Sequence, residues 1–509
     1  MARAVPMVRV EVEETVVRPT PARAAPRADA PVGDPAPGDP VARDPAPGDP
    51  AGRRRHVGRW LVGAVALALG LVGAQATLDA RDRALDARLA RVAGAAERLD
   101  AAPVPAWRTD GVAATAIGQR LVAGGLAVGV LTMADGSRDV AAYDLADGRR
   151  RWLVRIDGPD ALRARTDAPR ATASCALVPV AAGAPQVACV TTDQVATRWD
   201  GMLYVTRQAR HGHLVVLDAA TGRRVVDRET APTPALAVLP GLVVLAQAGG
   251  DGRTHVVAED LTTGAVRWRF VSPDRADVAL AEPLLRLFRV GDEVVLVDGS
   301  GTPTVLTADG AARRPTTGPL LGWSQDATGR VWLVTGAAVG SGDASARTVV
   351  VRPGLPDLAL PGRGAAPTVD DASLPGLVVS SDRAGTLGTD ATTGAARWRS
   401  PVQAEPIGSL VLGGRVVLGT ADGVAALDGR DGSTAWVART DDGAVVSALA
   451  SDGRRVLAVE QGDAGTALVA LRASDGGVEW RAALPPGDLR VLDRRLVVVG
   501  AGSATRVAP

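Results

Sequence analysis

The sequence predicts an all-β fold: a β-propeller of about eight four-stranded blades, within a range of seven to nine, preceded by one transmembrane helix and a short stalk helix. Three observations predict it. Five tryptophans sit in one local frame, each four residues after a glycine and eight after the first motif position. The frame recurs at a period of roughly forty residues, the mark of units that stack around one axis. Residues 60–76 form the only long uncharged apolar run. The domains expected are a disordered cytoplasmic tail (1–52), a transmembrane helix (57–78), a stalk helix (79–102) and the propeller (104–509).

The tail is rich in Pro, Ala, Asp and Arg, and the element DPAPGDP occurs at 34–40 and again at 44–50. Prolines at that density exclude helix and sheet. Residues 8–17 alternate apolar and acidic side chains, the pattern of a strand offered to a cytoplasmic partner or of a solvated end. The seventeen residues 60–76 span about 26 Å as a helix, the short end of what a bilayer needs, and 57–58 and 77–78 extend them. Arg53, Arg54, Arg55 and Arg59 precede the run and Trp60 stands at its edge. The excess of positive charge places the N-terminus in the cytoplasm and the propeller outside, on a single-pass protein of the cell membrane. Ala74-Gln75-Ala76 resembles a cleavage site, but the segment before the run is far longer than the basic region of a signal peptide. A retained anchor is the expectation. After it, Leu78, Leu85, Leu89, Val92, Ala96 and Leu99 follow a heptad seam interrupted by Asp82. The seam offers a parallel dimer or the packing face of a monomeric stalk.

The repeat reads as a hairpin. Its clear copies are Asp144-Gly148-Trp152, Asp260-Gly264-Trp268, Asp390-Gly394-Trp398 and Asp428-Gly432-Trp436. Arg472-Gly476-Trp480 loses the acid, and Asp218-Gly222-Val226 loses the Trp. An apolar strand ends in an acid that accepts N–H groups of the turn. Glycine supplies φ > 0 before the return strand. The Trp on that strand wedges against the next blade, where burying ~150–250 Å² stabilises each contact by roughly 4–6 kcal/mol as an upper bound. With ten Trp against two Phe and two Tyr, tryptophan dominates the aromatic supply, and its motif copies read as structural, not as a stacking platform for a ligand. Degenerate copies at 305–310 and 349–354 fill the gap from 260 to 390. The strands of 489–508, joined by an orphan return strand around Trp107, close the ring and abolish its edges. Counted literally this makes nine blades; eight is the commoner architecture and the expectation.

Function is less legible. A formal net charge of +1 gives no field to recruit nucleic acid. The chain has no Asn, so no N-glycosylation acceptor exists. Cys175 and Cys189 lie on two short apolar runs joined as a hairpin. Outside the cell they form a disulfide; the alternative is two buried thiols. His211, His213 and His255 are candidate metal ligands, the last two each five residues before a motif aspartate. No carboxylate or cysteine is clearly supplied to complete a site, so exposed loop histidines are the simpler reading. No catalytic residue, metal or cofactor is assigned.

The segments LVVLDAATGRRV (214–225), VVAEDLTTGAVRW (256–268) and LGTDATTGAARW (387–398) resemble the pyrroloquinoline-quinone-like β-propeller repeat. The resemblance covers about residues 104 to 509. It implies the fold of quinoprotein alcohol dehydrogenases, of a lipoprotein of the bacterial outer-membrane assembly machine, and of many exported proteins. For the dehydrogenases it would also imply calcium, a catalytic Asp and adjacent cysteines; this chain has no adjacent cysteines and no Asn. The expected function is therefore a non-enzymatic binding or scaffold module with a protein or cell-envelope partner on the propeller face. The alternatives are a quinone- or metal-dependent redox enzyme using the channel, and a sensor signalling through the stalk.

Overall fold

The computed structural model describes residues 92–509, apart from 166–172, 181–182, 200–201, 208, 234, 276–284, 317, 337–345 and 442. The tail, the apolar run and the stalk up to residue 91 lie outside the described residues. Among the described residues no helix is long and apolar enough to cross a membrane.

Apolar runs such as 214–217 form strands because both of their faces are buried. Leu214 and Val216 pack toward one neighbouring sheet, Val215 and Leu217 toward the other. This alternation generates nine apolar clusters, each between two consecutive sheets. The sheets are the blades of a ring, at 121–157, 173–230, 235–271, 286–313, 320–361, 363–400, 409–439, 445–484 and 488–508, numbered 1 to 9 below. First strands such as Ala235–Leu239 are buried throughout and line the axis; fourth strands such as Val266–Val271 alternate with solvent and form the rim.

The ring has nine blades, not eight. Both degenerate hairpins are real, with Gly310 at φ 88° and Gly354 at φ 66°. Blade 9 is assembled from both ends of the described chain: Val104–Asp110 pairs antiparallel with Ser503–Ala508, Arg108 opposite Thr505. The literal count of nine holds, and the preference for the commoner eight-bladed architecture does not: the fourth strand of blade 9 lies some four hundred residues from its third.

The stalk reading needs a second correction. Residues 92–103 are not helical. Gly94 sits at φ 77°, outside helical space, and Ala93 bridges Asp370. The seam residues Ala96 and Leu99 are fully buried against blades 8 and 9. Their apolar side chains find a sheet face in the same chain, so this end of the seam is not free for a dimer.

Three irregularities break the ring. Arg363–Gly364 is the first strand of blade 6, after which Pro367–Asp370 crosses to run parallel inside Ser409–Leu412, making blade 7 five-stranded. Blade 2 carries a two-stranded ribbon, Val195–Trp199 and Met202–Arg207, between its second and third strands. The helix Val112–Gly118 packs over the seam between blades 9 and 1.

Candidate functional site

The repeat residues form inter-blade joints. In blade 3, Asp260 Oδ1 accepts the Thr262 and Thr263 N–H groups (3.2 and 2.9 Å) and the Thr263 hydroxyl (3.0 Å), while Oδ2 accepts Arg267 at 2.8 Å. The Thr263 backbone and Arg267 together hold this carboxyl well below the usual range. Asp218 and Asp390 repeat the pattern, and Asp144 and Asp428 accept the N–H two residues on. Five indole N–H groups then donate to a carbonyl in the motif turn of the next blade. Trp107 reaches Leu145 O (3.2 Å), Trp152 reaches Ala219 O (2.9 Å) and Trp268 reaches Ala308 O (2.8 Å). Trp398 reaches Gly429 O (2.9 Å) and Trp436 reaches Ala473 O (3.0 Å).

Glycine is required twice. Gly148, Gly222, Gly264, Gly394, Gly432 and Gly476 all have φ between 71° and 76°. A Cβ would also strike the preceding blade's indole, at 2.9 Å on Gly148, 2.8 Å on Gly222, 2.5 Å on Gly432 and 2.6 Å on Gly476. The sequence reading identified the turn and the wedge but not that the wedge rests on the turn's glycine. Where Trp is lost, the joint changes. Arg228 of blade 2 covers Gly264 and donates to Asp260 O (3.2 Å) and Leu261 O (3.4 Å), with Nη1 on Glu259 at 2.7 Å. In blade 5, Leu358 covers Gly394. Trp480 packs against blade 9, where no motif carbonyl faces it, and its buried N–H has no partner.

The axial side of blades 7 and 8 is built over by the chain itself. Val369 and Ala95 join the apolar cluster of Leu410, Val446 and Leu449. The Thr368 hydroxyl bonds the Ser409 and Leu449 carbonyls, each at 3.3 Å, and Ala327 N–H donates to Pro367 O at 2.8 Å. Residues 96–99 cross the first turns of blades 8 and 9: Ala96 N donates to Ser451 O (2.7 Å), Leu99 N to Asp452 (3.2 Å), and Glu97 pairs with Arg506 (2.8 Å). The inner strands of blades 4 and 5 are more open. There Trp323, 46% exposed and outside the repeat frame, tilts against Phe288 with ring centroids 4.0 Å apart.

A polar cleft of about 260 Å³ lies where blades 1 and 2 meet, on the face opposite the motif turns. Its floor is Asp157, at the end of the fourth strand of blade 1. Asp157 accepts Arg138 and Arg163, each at 3.2 Å, and the Thr191 hydroxyl at 3.0 Å. Arg138 is wholly buried and also donates to Thr192 O at 2.7 Å. Burial and the Arg163 charge lower the Arg138 guanidinium to about 10. Burial alone would raise the Asp157 carboxyl, but His213, Arg138, Thr191 and Arg163 outweigh it and hold it below the ordinary range. His213 lies 3.8 Å from Asp157 and 2.5 Å from Asp227, and these carboxylates raise it to about 9. The Thr192 hydroxyl is buried without a hydrogen-bond partner.

Cys175 and Cys189 form a disulfide across the first two strands of blade 2, just before Thr191 and Thr192. Of the candidate metal ligands, His211 and His213 line the cleft, but His255 pairs with Asp251 at 3.2 Å in the turn of blade 3. Among the described residues no group of three or more His, Cys, Asp or Glu is placed to hold a metal. The sequence reading missed Arg138, Asp157 and Arg163, whose only signal is the cross-strand register that sets Arg138 opposite Asp157. A larger cavity of about 420 Å³ beside the helix Val112–Gly118 is walled largely by glycine and alanine backbone, with Arg120 and Asp488 at its edge.

A family model described as outer membrane protein assembly factor BamB matches residues 138–350 and 321–507. The chain belongs to this family. No curated protein sequence matches it. Among solved structures, BamB from Moraxella catarrhalis is 15% identical over 80% of this chain and 100% of that one, with a TM-score of 0.38. A europium-containing methanol dehydrogenase is 15% identical over 81% and 87%, TM-score 0.37. The quinohemoprotein alcohol dehydrogenase of Comamonas testosteroni is 14% identical over 82% and 78%, TM-score 0.31. At these scores the likenesses carry no argument about ligands. The BamB-family repeat accounts for the Asp, Gly and Trp joints; the polar cleft, the ribbon and the disulfide lie outside the repeat motif.

Proposed function

We propose that the propeller is a non-enzymatic binding module, held outside the cytoplasm by a membrane-spanning helix at 57–78, that presents a face to a protein or cell-envelope partner. One observation carries this reading: the axial side of blades 7 and 8 is filled by Pro367–Asp370 and residues 92–100 of the same chain. A ligand enclosed at the axis would compete with those contacts, whereas no other described segment covers the face bearing the ribbon and the polar cleft. The family description, an assembly factor, supports a protein partner. The Cys175–Cys189 bond supports an oxidising compartment.

The test is in-cell crosslinking followed by recovery of the full-length protein, expected to bring down a discrete envelope component. Dye reduction by the purified protein that depends on added quinone and Ca²⁺ would overturn this reading in favour of a redox enzyme. Protease accessibility of the propeller in intact spheroplasts tests the topology; protection of the whole chain would overturn the external placement.

A further inference from the structure

We infer that the cavity between blades 9 and 1 binds the oxyanion, phosphate or carboxylate, of a small ligand, with the Arg120 guanidinium as its principal contact. This deepens the reading of the propeller as a binding module, and rests on that reading, by naming a ligand chemistry for one site. Residues 500–502 join the second and third strands of blade 9 at the end opposite the motif turns, so the cavity lies on the face that carries the polar cleft.

Charge names the ligand. Two of the residues lining the cavity are charged, Arg120 and Asp488. Asp488 is matched to Arg490 at 2.6 Å. Arg120 has no such match: no acceptor among the described residues meets its guanidinium. Burial and then the Arg490 charge make this guanidinium less basic than usual, and Asp488 offsets only part of that. Two guanidiniums and one carboxylate leave one positive charge beside the cavity. A guanidinium donates and never accepts, and its flat fork fits a carboxylate or phosphate through two parallel bonds. The backbone adds donors of the same sense. The N–H groups of Ala501 and Gly502, in the turn that walls the cavity, have no acceptor among the described residues. A ligand with several acceptor oxygens and a negative charge satisfies both sets of donors, whereas a neutral or cationic one leaves the charge unmatched.

Position is the second, independent observation. Arg120 follows the helix Val112–Gly118 and holds φ 63°, in the left-handed region that glycine usually takes at a helix end. An arginine there is strained, and its surroundings over-determine it. Its N–H donates to Ile117 O at 3.1 Å. The preceding Gln119 side chain clamps Val130, with Nε2 on its carbonyl at 2.7 Å and Oε1 on its N–H at 2.9 Å. The strained residue gives its own fold no ion pair or side-chain hydrogen bond in return. An anion in the cavity supplies the missing partner. At about 420 Å³ the space lies within the roughly 300–1,000 Å³ typical of small-molecule sites. Its glycine walls, Gly118, Gly487, Gly500 and Gly502, carry no side chain to keep a ligand from the backbone.

The experiment titrates the purified full-length protein by calorimetry at low ionic strength with inorganic phosphate, glycerol 3-phosphate and citrate, with glucose as a neutral counter-probe. Soluble short-chain phosphatidylglycerol forms a second arm: saturable binding of a free anion assigns a soluble ligand, and saturable binding of the lipid alone assigns a headgroup. Arg120→Gln should weaken the binding roughly tenfold or more, and Arg120→Lys should weaken it less. Arg120→Gly should abolish it while leaving Tm equal or higher, because glycine takes φ 63° without strain. Added NaCl should weaken it as well. No saturable binding in either arm, an affinity unchanged in Arg120→Gln, or glucose bound as tightly as the anions would each overturn the inference. A lower Tm in Arg120→Gly with the affinity retained would assign the arginine to the fold and overturn it too. Anion binding that persists when crosslinking finds no protein partner would leave this site standing and remove only the protein-partner reading. A recovered partner with no anion bound would remove only this inference.

Discussion

The joint between blades 7 and 8 and the joint between blades 2 and 3 meet the same requirement with different side chains. Both need a group that covers a glycine at positive φ and donates to a carbonyl beside it. Trp436 does so with one flat ring, which rests on Gly476 and bonds Ala473 O. Arg228 does so with a guanidinium over Gly264, which brings a charge into the joint and needs Glu259 to match it. The apolar solution depends on shape and the polar one on pairing. The blade freed from the tryptophan template also carries the ribbon, the disulfide and half of the polar cleft. Regular joints hold the ring; the irregular blade is where its surface is specialised.

The largest expected effect breaks the apolar joint. Trp436 is 7% exposed, and Trp436→Ala should cost about 3–5 kcal/mol, read as a lower denaturation midpoint in urea. In the polar joint, Arg228→Met preserves length but strands Glu259, so a loss of about 2–3 kcal/mol is expected. Adding Glu259→Gln should recover part of that loss, and no recovery would show that pairing is not what the polar joint depends on. Gly476→Ala meets both a ring at 2.6 Å and φ 74°, whereas Gly354 at φ 66° has nothing within 4 Å of the added Cβ. The first should lose about 2–4 kcal/mol and the second about 1 kcal/mol. Equal losses would mean that the indole does not rest on the glycine.

A further effect, read against pH, concerns the cleft beside the irregular blade. His213 is raised from 6.5 to about 9, so its contribution to stability is fully present below the lower value and is lost as pH rises through the upper one. Wild type should exceed His213→Gln in stability at pH 6, and the gap should close above pH 9. A gap independent of pH would mean that the ring acts through packing and not through charge. NMR titration of the ring should place its midpoint well above that of a free imidazole.

Much of the ring was legible because its signals are local. Asp260, Gly264 and Trp268 lie within one hairpin, and each residue type performs a task its chemistry dictates. The closing strand around Trp107 was legible too, although the commoner eight-bladed architecture was preferred; what stayed hidden depends on distant partners. Pro367–Asp370 enters blade 7 by parallel pairing, which leaves no turn signature. The heptad seam misled for a related reason: Ala96 and Leu99 show that apolar spacing signals burial without saying whether helix or sheet does the burying. In the cleft, Arg138 and Arg163 flank Asp157 at separations of 19 and 6 residues, a spacing no motif records. Those charges converge only once strand register is known. The apolar run expected to span a membrane and the tail lie outside the described residues.

Closure of blade 9 by Val104–Asp110 carries a consequence for biogenesis. Its partner strand Ser503–Ala508 follows it in the chain by some four hundred residues. Until it emerges, Val104–Asp110 has no mate, and both flanks of the nascent arc expose unpaired backbone. Forming that contact closes a loop of some four hundred residues, which places it late and makes it slow. The growing arc is therefore sticky at both flanks until that strand emerges, and a chaperone that shields strand edges would matter more to its yield than to its final stability.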